Sequence, residues 1–127
     1  MERTMLKLAV CDDNRLFLEE MKRILEKDER VESVKVYEHP QKLTEEITGE
    51  QKNFDAVFMD IEYGEKDTGM DYVEEIYKKN PEIQFIYVTG HRNCYEQYMF
   101  LKDSNLTGYL TKPIDRKLLS EYLDKIL

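Results

Sequence analysis

Only two residues of the 127 are cysteine, Cys11 and Cys94, and neither has a second thiol near it in the chain. That spacing supports neither a disulfide scaffold nor a thiolate metal site, and both are read as reduced, small hydrophobic side chains. Long apolar runs are missing too. No stretch of about 18 such residues is available to span a bilayer, and the start, Met1-Glu2-Arg3-Thr4, lacks the apolar segment of a secretory signal. A soluble, cytoplasmic protein without membrane contact is expected. Basic excess is absent as well: 19 lysines and arginines face 27 acidic residues, for a formal net charge of −8. Phosphate backbones are repelled on average, so direct nucleic-acid binding by this chain is not expected. Repeats, linkers and low-complexity segments do not occur. The length, with 41% hydrophobic residues, suits one domain spanning residues 1–127.

What the chain has instead is alternation. Strand-like and helix-like segments follow one another at regular spacing, as in βαβ units that build a parallel sheet. Leu6 to Cys11, Ala56 to Met59 and Phe85 to Val88 are nearly continuous apolar runs, which is what strands covered on both faces require. Val34, Val36 and the segment Gly108 to Thr111 are shorter or alternate with polar residues, and suit sheet edges. Between them, Phe17, Leu18, Met21, Ile24 and Leu25 form one helical stripe, and Met70, Val73, Ile76 and Tyr77 form another. A short helix is expected to begin at Pro40, carry Leu43 and Ile47, and stop near Gly49. The last helix has Asp115 as its cap, Ile114 and Leu119 in staple positions, and an apolar face of Leu118, Tyr122, Leu123 and Ile126.

Polar groups close four of the apolar runs. Asp12 and Asp13 end the first, Asp60 another, Thr89 follows Val88, and Lys112 follows Thr111. Ligands of an open parallel sheet sit beyond the carboxyl ends of its strands, where strand order reverses. A strand order of 2-1-3-4-5 would carry all five groups to that edge.

Three carboxylates within a few ångströms repel strongly unless one is protonated or a cation lies among them. A hard divalent cation is the economical answer, and Mg²⁺ is typically held by one or two carboxylates plus a phosphate oxygen. One aspartate is then left free as a nucleophile toward a phosphoryl group, with the lysine and the hydroxyl placed to neutralise the transferred oxygens.

Taken together, Asp12-Asp13, the strand-end Asp60, Thr89 and Lys112-Pro113 resemble the receiver domain of two-component response regulators, and the resemblance covers essentially the whole chain. Gly108-Tyr109-Leu110-Thr111-Lys112-Pro113 is similar to that family's fifth strand. The resemblance implies a single, doubly wound (βα)5 flavodoxin-like α/β domain with a five-stranded parallel sheet. It implies that Asp60 accepts a phosphoryl group from a sensor histidine kinase or phosphotransfer protein. Asp13, Asp60 and the backbone carbonyl of Glu62 would bind Mg²⁺, and Asp12 would act through water. Thr89 and Tyr109 would form the output switch, and Lys112-Pro113 would be a cis peptide. On this reading the chain catalyses only its own aspartyl phosphorylation and dephosphorylation; it is not a turnover enzyme.

The loop from Tyr63 to Thr68 lacks the proline often found after the phosphoacceptor. With Asp60-Ile61-Glu62, the late Gly69 and Thr89-Gly90-His91, it is more like receivers that precede a LytTR-type DNA-binding domain, which implies a transcriptional output outside this chain. Glu62 and His91 stand where family members vary. Each residue also has a plainer reading: Asp13 as a helix cap, Asp60 as a turn residue, Thr89 as a strand-end hydroxyl, Lys112 as a solvated cation, Tyr109 as a static edge aromatic, and His39 and His91 as surface residues. Between Asn93 and Lys102 the apolar groups are too many for one stripe, so this segment is either a homodimer or partner face or a loosely packed helix. Other functions compete. A flavin mononucleotide binder would want a glycine- and hydroxyl-rich turn where Asp12-Asp13-Asn14 stands, and an aspartyl phosphatase would want a longer core. A phosphorylation-independent interaction module and a free-standing single-domain regulator share the same fold.

Overall fold

The computed structural model describes residues 5–47, 53–63, 67–90 and 106–127. Described elements are numbered in chain order: β1 (Leu6–Cys11), α1 (Arg15–Glu26), β2 (Val31–Tyr37), α2 (Pro40–Glu46), β3 (Ala56–Asp60), β4 (Glu62–Tyr63), β5 (Asp67–Thr68), α3 (Gly69–Lys79), β6 (Gln84–Thr89), β7 (Leu106–Thr111) and α4 (Arg116–Ile126). Five long strands form one sheet in the order β2-β1-β3-β6-β7, and every pairing within it is parallel. Counting those five strands alone, this is 2-1-3-4-5, the order expected from the sequence.

The continuous apolar runs are explained by what covers the sheet. Side chains alternate along a strand, so Ala9, Cys11, Val57, Met59, Phe85 and Tyr87 enter one core with Leu43 of α2 and Val73 and Ile76 of α3. Their neighbours Leu8, Val10, Ala56, Phe58, Ile86 and Val88 enter the opposite core with Leu18, Met21 and Leu25 of α1 and Leu119 and Leu123 of α4. Both faces of β1, β3 and β6 are buried, so apolar residues are required at consecutive positions. The edge strands β2 and β7 are freer, and β2 mixes buried and exposed positions: Val31, Val34 and Tyr37 are buried while Glu32, Ser33 and Lys35 are exposed.

Helix starts follow the local chemistry. Asn14 Oδ1 accepts from the N–H groups of Leu16 at 3.0 Å and Phe17 at 3.2 Å, capping α1. The plain reading of Asp13 as the α1 cap is therefore corrected, because the neighbouring asparagine holds those donors. Asp115 caps α4 through Lys117 and Leu118, as expected. At α2 the cap is His39, whose Nδ1 accepts from Gln41 N–H at 3.1 Å. That helix ends at Glu46, earlier than the stop expected near Gly49, which lies outside the described residues. Ile47 instead turns to extended backbone, its side chain buried in the core at 3% exposure.

A second difference lies after β3. The segment read as a plain loop forms a two-stranded antiparallel ribbon, Glu62 opposite Thr68 and Tyr63 opposite Asp67. The Met70 side chain and the Asn93–Lys102 segment, with Cys94 and His91, lie outside what is described.

Candidate functional site

The carboxyl ends of the central strands are tied into one edge by backbone bonds. Asp12 N–H donates to Tyr37 C=O at 3.0 Å, Ile61 N–H to Val88 C=O at 3.3 Å, and Lys112 N–H to Thr89 C=O at 3.0 Å. Asp60 pairs in register with Val88, and Thr89 with Thr111. Chain positions 12, 60, 89 and 112 thus reach the same rim although nearly the whole chain separates the first from the last.

There, Asp12, Asp13 and Asp60 each offer a carboxylate oxygen, and the three oxygens lie within 4.8 Å of one another. Asp12 is fully buried, Asp60 is 5% exposed and Thr89 is 1% exposed, while Asp13 is exposed. Two unit charges about 5 Å apart repel by about 1 kcal/mol in water and about 3 to 4 kcal/mol at an effective dielectric near 20. Three such charges at a buried rim need a positive partner.

One is present. Lys112 Nζ lies 2.6 Å from Asp12 Oδ2, with a quarter of the lysine side chain exposed. The approach is a close ion pair that is not aligned as a hydrogen bond, and Oδ2 remains a buried oxygen with no hydrogen-bond donor. The other oxygen, Oδ1, accepts from Asn14 N–H at 2.8 Å. Lys112 by itself does not neutralise three carboxylates. An all-oxygen donor set, one member of it lacking a hydrogen bond, suits a hard divalent cation of the Mg²⁺ type. The residues present therefore fit the ion expected from the sequence.

Buried Cys11 and Tyr109 flank the site. Cys11, directly before Asp12, is a buried free thiol. Burial, and secondarily the Asp12 charge, push its ionisation well above the ordinary thiol range, so it serves as a packing group and not as a nucleophile. Tyr109 is buried, its ring centroid 5.9 Å from that of Tyr87, to which it is tilted by 35°. The Lys112–Pro113 peptide is cis. His39 is exposed and stands edge-on to Tyr72 at 5.4 Å.

Two participants were not visible as such in the sequence. Phe17, read there as one more member of the α1 stripe, holds its ring 4.4 Å from Lys112 Nζ. Tyr122, read as part of an apolar helix face, bonds through its hydroxyl to the backbone of Tyr109. Both contacts join residues on different elements, and periodicity within one helix carries no signal for them.

With this geometry in hand, similarity to known proteins is informative. The family model described as "Response regulator receiver domain" matches residues 8–124. Among solved structures, a response regulator receiver domain protein from Clostridium thermocellum is 27% identical, with a TM-score of 0.80 over 96% of this chain and 94% of that one. The CheY-like receiver domain protein from Methanospirillum hungatei is 22% identical, with a TM-score of 0.78 over 97% and 94%. Chemotaxis protein CheY4 of Vibrio cholerae is 18% identical, with a TM-score of 0.78 over 98% and 100%. The last two show likeness of fold alone. No curated protein gives a significant match. A family model spanning nearly the whole chain, on a sheet of matching topology with the acidic cluster at its rim, gives the identification: the chain belongs to the response regulator receiver domain family.

Proposed function

We propose that the chain is a phosphorylatable receiver in which Asp60 takes a phosphoryl group from a histidine kinase or phosphotransfer protein. The observation that carries this is the clustering of the Asp12, Asp13 and Asp60 carboxylates within 4.8 Å, with the Lys112 ammonium on Asp12. In the transfer, an Asp60 carboxylate oxygen forms the new bond to phosphorus while the bond from phosphorus to the donor nitrogen breaks, its electron pair leaving with the donor imidazole. Burial of Asp60 excludes bulk water and keeps the carboxylate fixed for attack. Lys112 places positive charge where negative charge accumulates on the phosphoryl oxygens, and the Thr89 hydroxyl is a donor on the same rim. Asp13, Asp60 and the Glu62 carbonyl would hold Mg²⁺, with Asp12 acting through water. Mg²⁺, when bound, supplies charge neutralisation and orientation of the phosphoryl oxygens.

The same reading makes Thr89 and Tyr109 the switch and the face formed by the Asn93–Lys102 segment, β7 and α4 the output surface, used for dimerisation or partner contact. The chain acts on itself and turns over no external substrate. A cytoplasmic setting and a LytTR-type transcriptional output outside this chain belong to the proposal, the latter resting on the sequence around the Tyr63–Thr68 loop. No described helix is long and apolar enough to cross a membrane.

The test is intact-mass measurement after incubation with a small acyl phosphate and Mg²⁺. One phosphoryl adduct in the parent, absent in Asp60→Ala, is the expected result. No adduct in the parent despite Mg²⁺ binding would leave a phosphorylation-independent interaction module.

A further inference from the structure

We propose that Phe17 is a positioning residue for Lys112, its ring face seating the ammonium for phosphoryl transfer; this deepens the phosphoacceptor reading above and rests on it. Lys112 Nζ is bracketed by two groups of different chemistry, Asp12 Oδ2 at 2.6 Å and the Phe17 ring, whose centroid is 4.4 Å away. A carboxylate attracts the cation by cancelling its charge. An aromatic face attracts it through the ring quadrupole and leaves the charge uncancelled and the N–H donors available. Lysine is a flexible, strongly hydrated point charge, and with 26% of its side chain exposed Lys112 competes with water for its place. The ring opposes that pull and still lets the ammonium turn to an incoming phosphoryl oxygen.

The seat is built into the start of α1. Asp12 Oδ1 accepts from Asn14 N–H at 2.8 Å, and Asn14 Oδ1 accepts from Phe17 N–H at 3.2 Å. Asp12 therefore contacts Lys112 through one oxygen and, through the other, fixes the turn that carries Phe17 to the same lysine. These contacts close a circuit: Asp12, Asn14, Phe17, Lys112 and back to Asp12. Packing alone does not call for an aromatic ring at this position. Leu18, Met21 and Leu25 fill the core under α1, whereas Phe17 is only partly buried at its margin.

The experiment is a double-mutant cycle on the rate of adduct formation from a small acyl phosphate at fixed Mg²⁺, followed by intact mass. Phe17→Leu is expected to slow capture roughly two- to fivefold, the range of a partly exposed cation–π contact. Phe17→Tyr should restore the rate, and in a Lys112→Ala background Phe17→Leu should add nothing. Equal slowing in both backgrounds, no slowing, or failure of tyrosine to rescue would overturn the proposal. A phosphorylation-independent readout accompanies the cycle: in NMR spectra the Lys112 Cε protons should be shifted upfield by the ring in the parent and in Phe17→Tyr, and not in Phe17→Leu. If the parent takes no phosphoryl group, the receiver reading falls and the role in transfer falls with it. Absence of the shift in the parent overturns the seat itself.

Discussion

The Tyr122 hydroxyl makes two bonds to one residue: it accepts from Tyr109 N–H at 3.1 Å and donates to Tyr109 C=O at 3.0 Å. Tyr109 lies on β7, an edge strand, so neither group has a neighbouring strand on that side. One phenol from α4 thus closes the open edge at this position. Removing it leaves a buried donor and acceptor unsatisfied, and each such loss costs about 1 to 3 kcal/mol. Tyr122→Phe is expected to destabilise the protein by about 2 to 6 kcal/mol in urea unfolding and to speed hydrogen exchange at the Tyr109 amide. Unchanged exchange there would contradict the bonding.

Gly108 makes that approach possible. A Cβ at this position would clash with the hydroxyl end of the Tyr122 ring. Gly108→Ala is therefore expected to cost about 1 to 3 kcal/mol by overpacking, and markedly less when Tyr122 is first replaced by leucine. Urea midpoints for the four proteins of that cycle give the coupling.

The acidic rim should make the fold sensitive to divalent cations. Adding millimolar Mg²⁺ is expected to raise the thermal midpoint of the parent, since ligand binding to the native state alone stabilises it by mass action. Asp13→Asn should shrink that rise. Asp60→Asn, by removing one of the mutually repelling charges, should raise the midpoint without Mg²⁺. Thermal melts with and without the ion test both.

Acid stability should depend on Asp28. Arg30 bonds its carboxylate at 2.6 and 2.9 Å and also reaches Ser120 and Asp124 on α4. The hydrogen bond from Arg30 holds the Asp28 carboxyl below its ordinary range. A lowered native pKa means that the unfolded state binds protons first. The contribution is therefore present above the ordinary aspartate range and is lost as pH falls through the depressed native value. Arg30→Gln should flatten the fall of urea midpoint with pH in that acidic window and leave the neutral-pH slope alone.

Strand identity and the helices' apolar stripes were legible in the sequence because backbone periodicity writes them locally, whereas the strand order came with the family resemblance. A strand covered on both faces needs apolar residues at consecutive positions, and Leu8–Cys11, Ala56–Met59 and Phe85–Val88 supply them. The cap of α1 was legible only to within one residue, since Asp13 and Asn14 are both good caps and the choice depends on where Asp12 anchors the turn. The ribbon after β3 escaped notice because two-residue strands have no periodicity to detect.

By itself, then, the sequence determined an alternating α/β chain whose polar groups fall at the strand ends, together with the residue types for a phosphoryl site: Asp12, Asp13, Asp60, Thr89 and Lys112. Tertiary structure decided which of these groups touch. It set Lys112 on Asp12 and under the Phe17 ring, left one Asp12 oxygen without a hydrogen-bond donor, and sent Tyr122 around the sheet edge to Tyr109. Local patterns record how each segment curls and which side it buries. Contacts between residues nearly a hundred positions apart arise only when the segments pack.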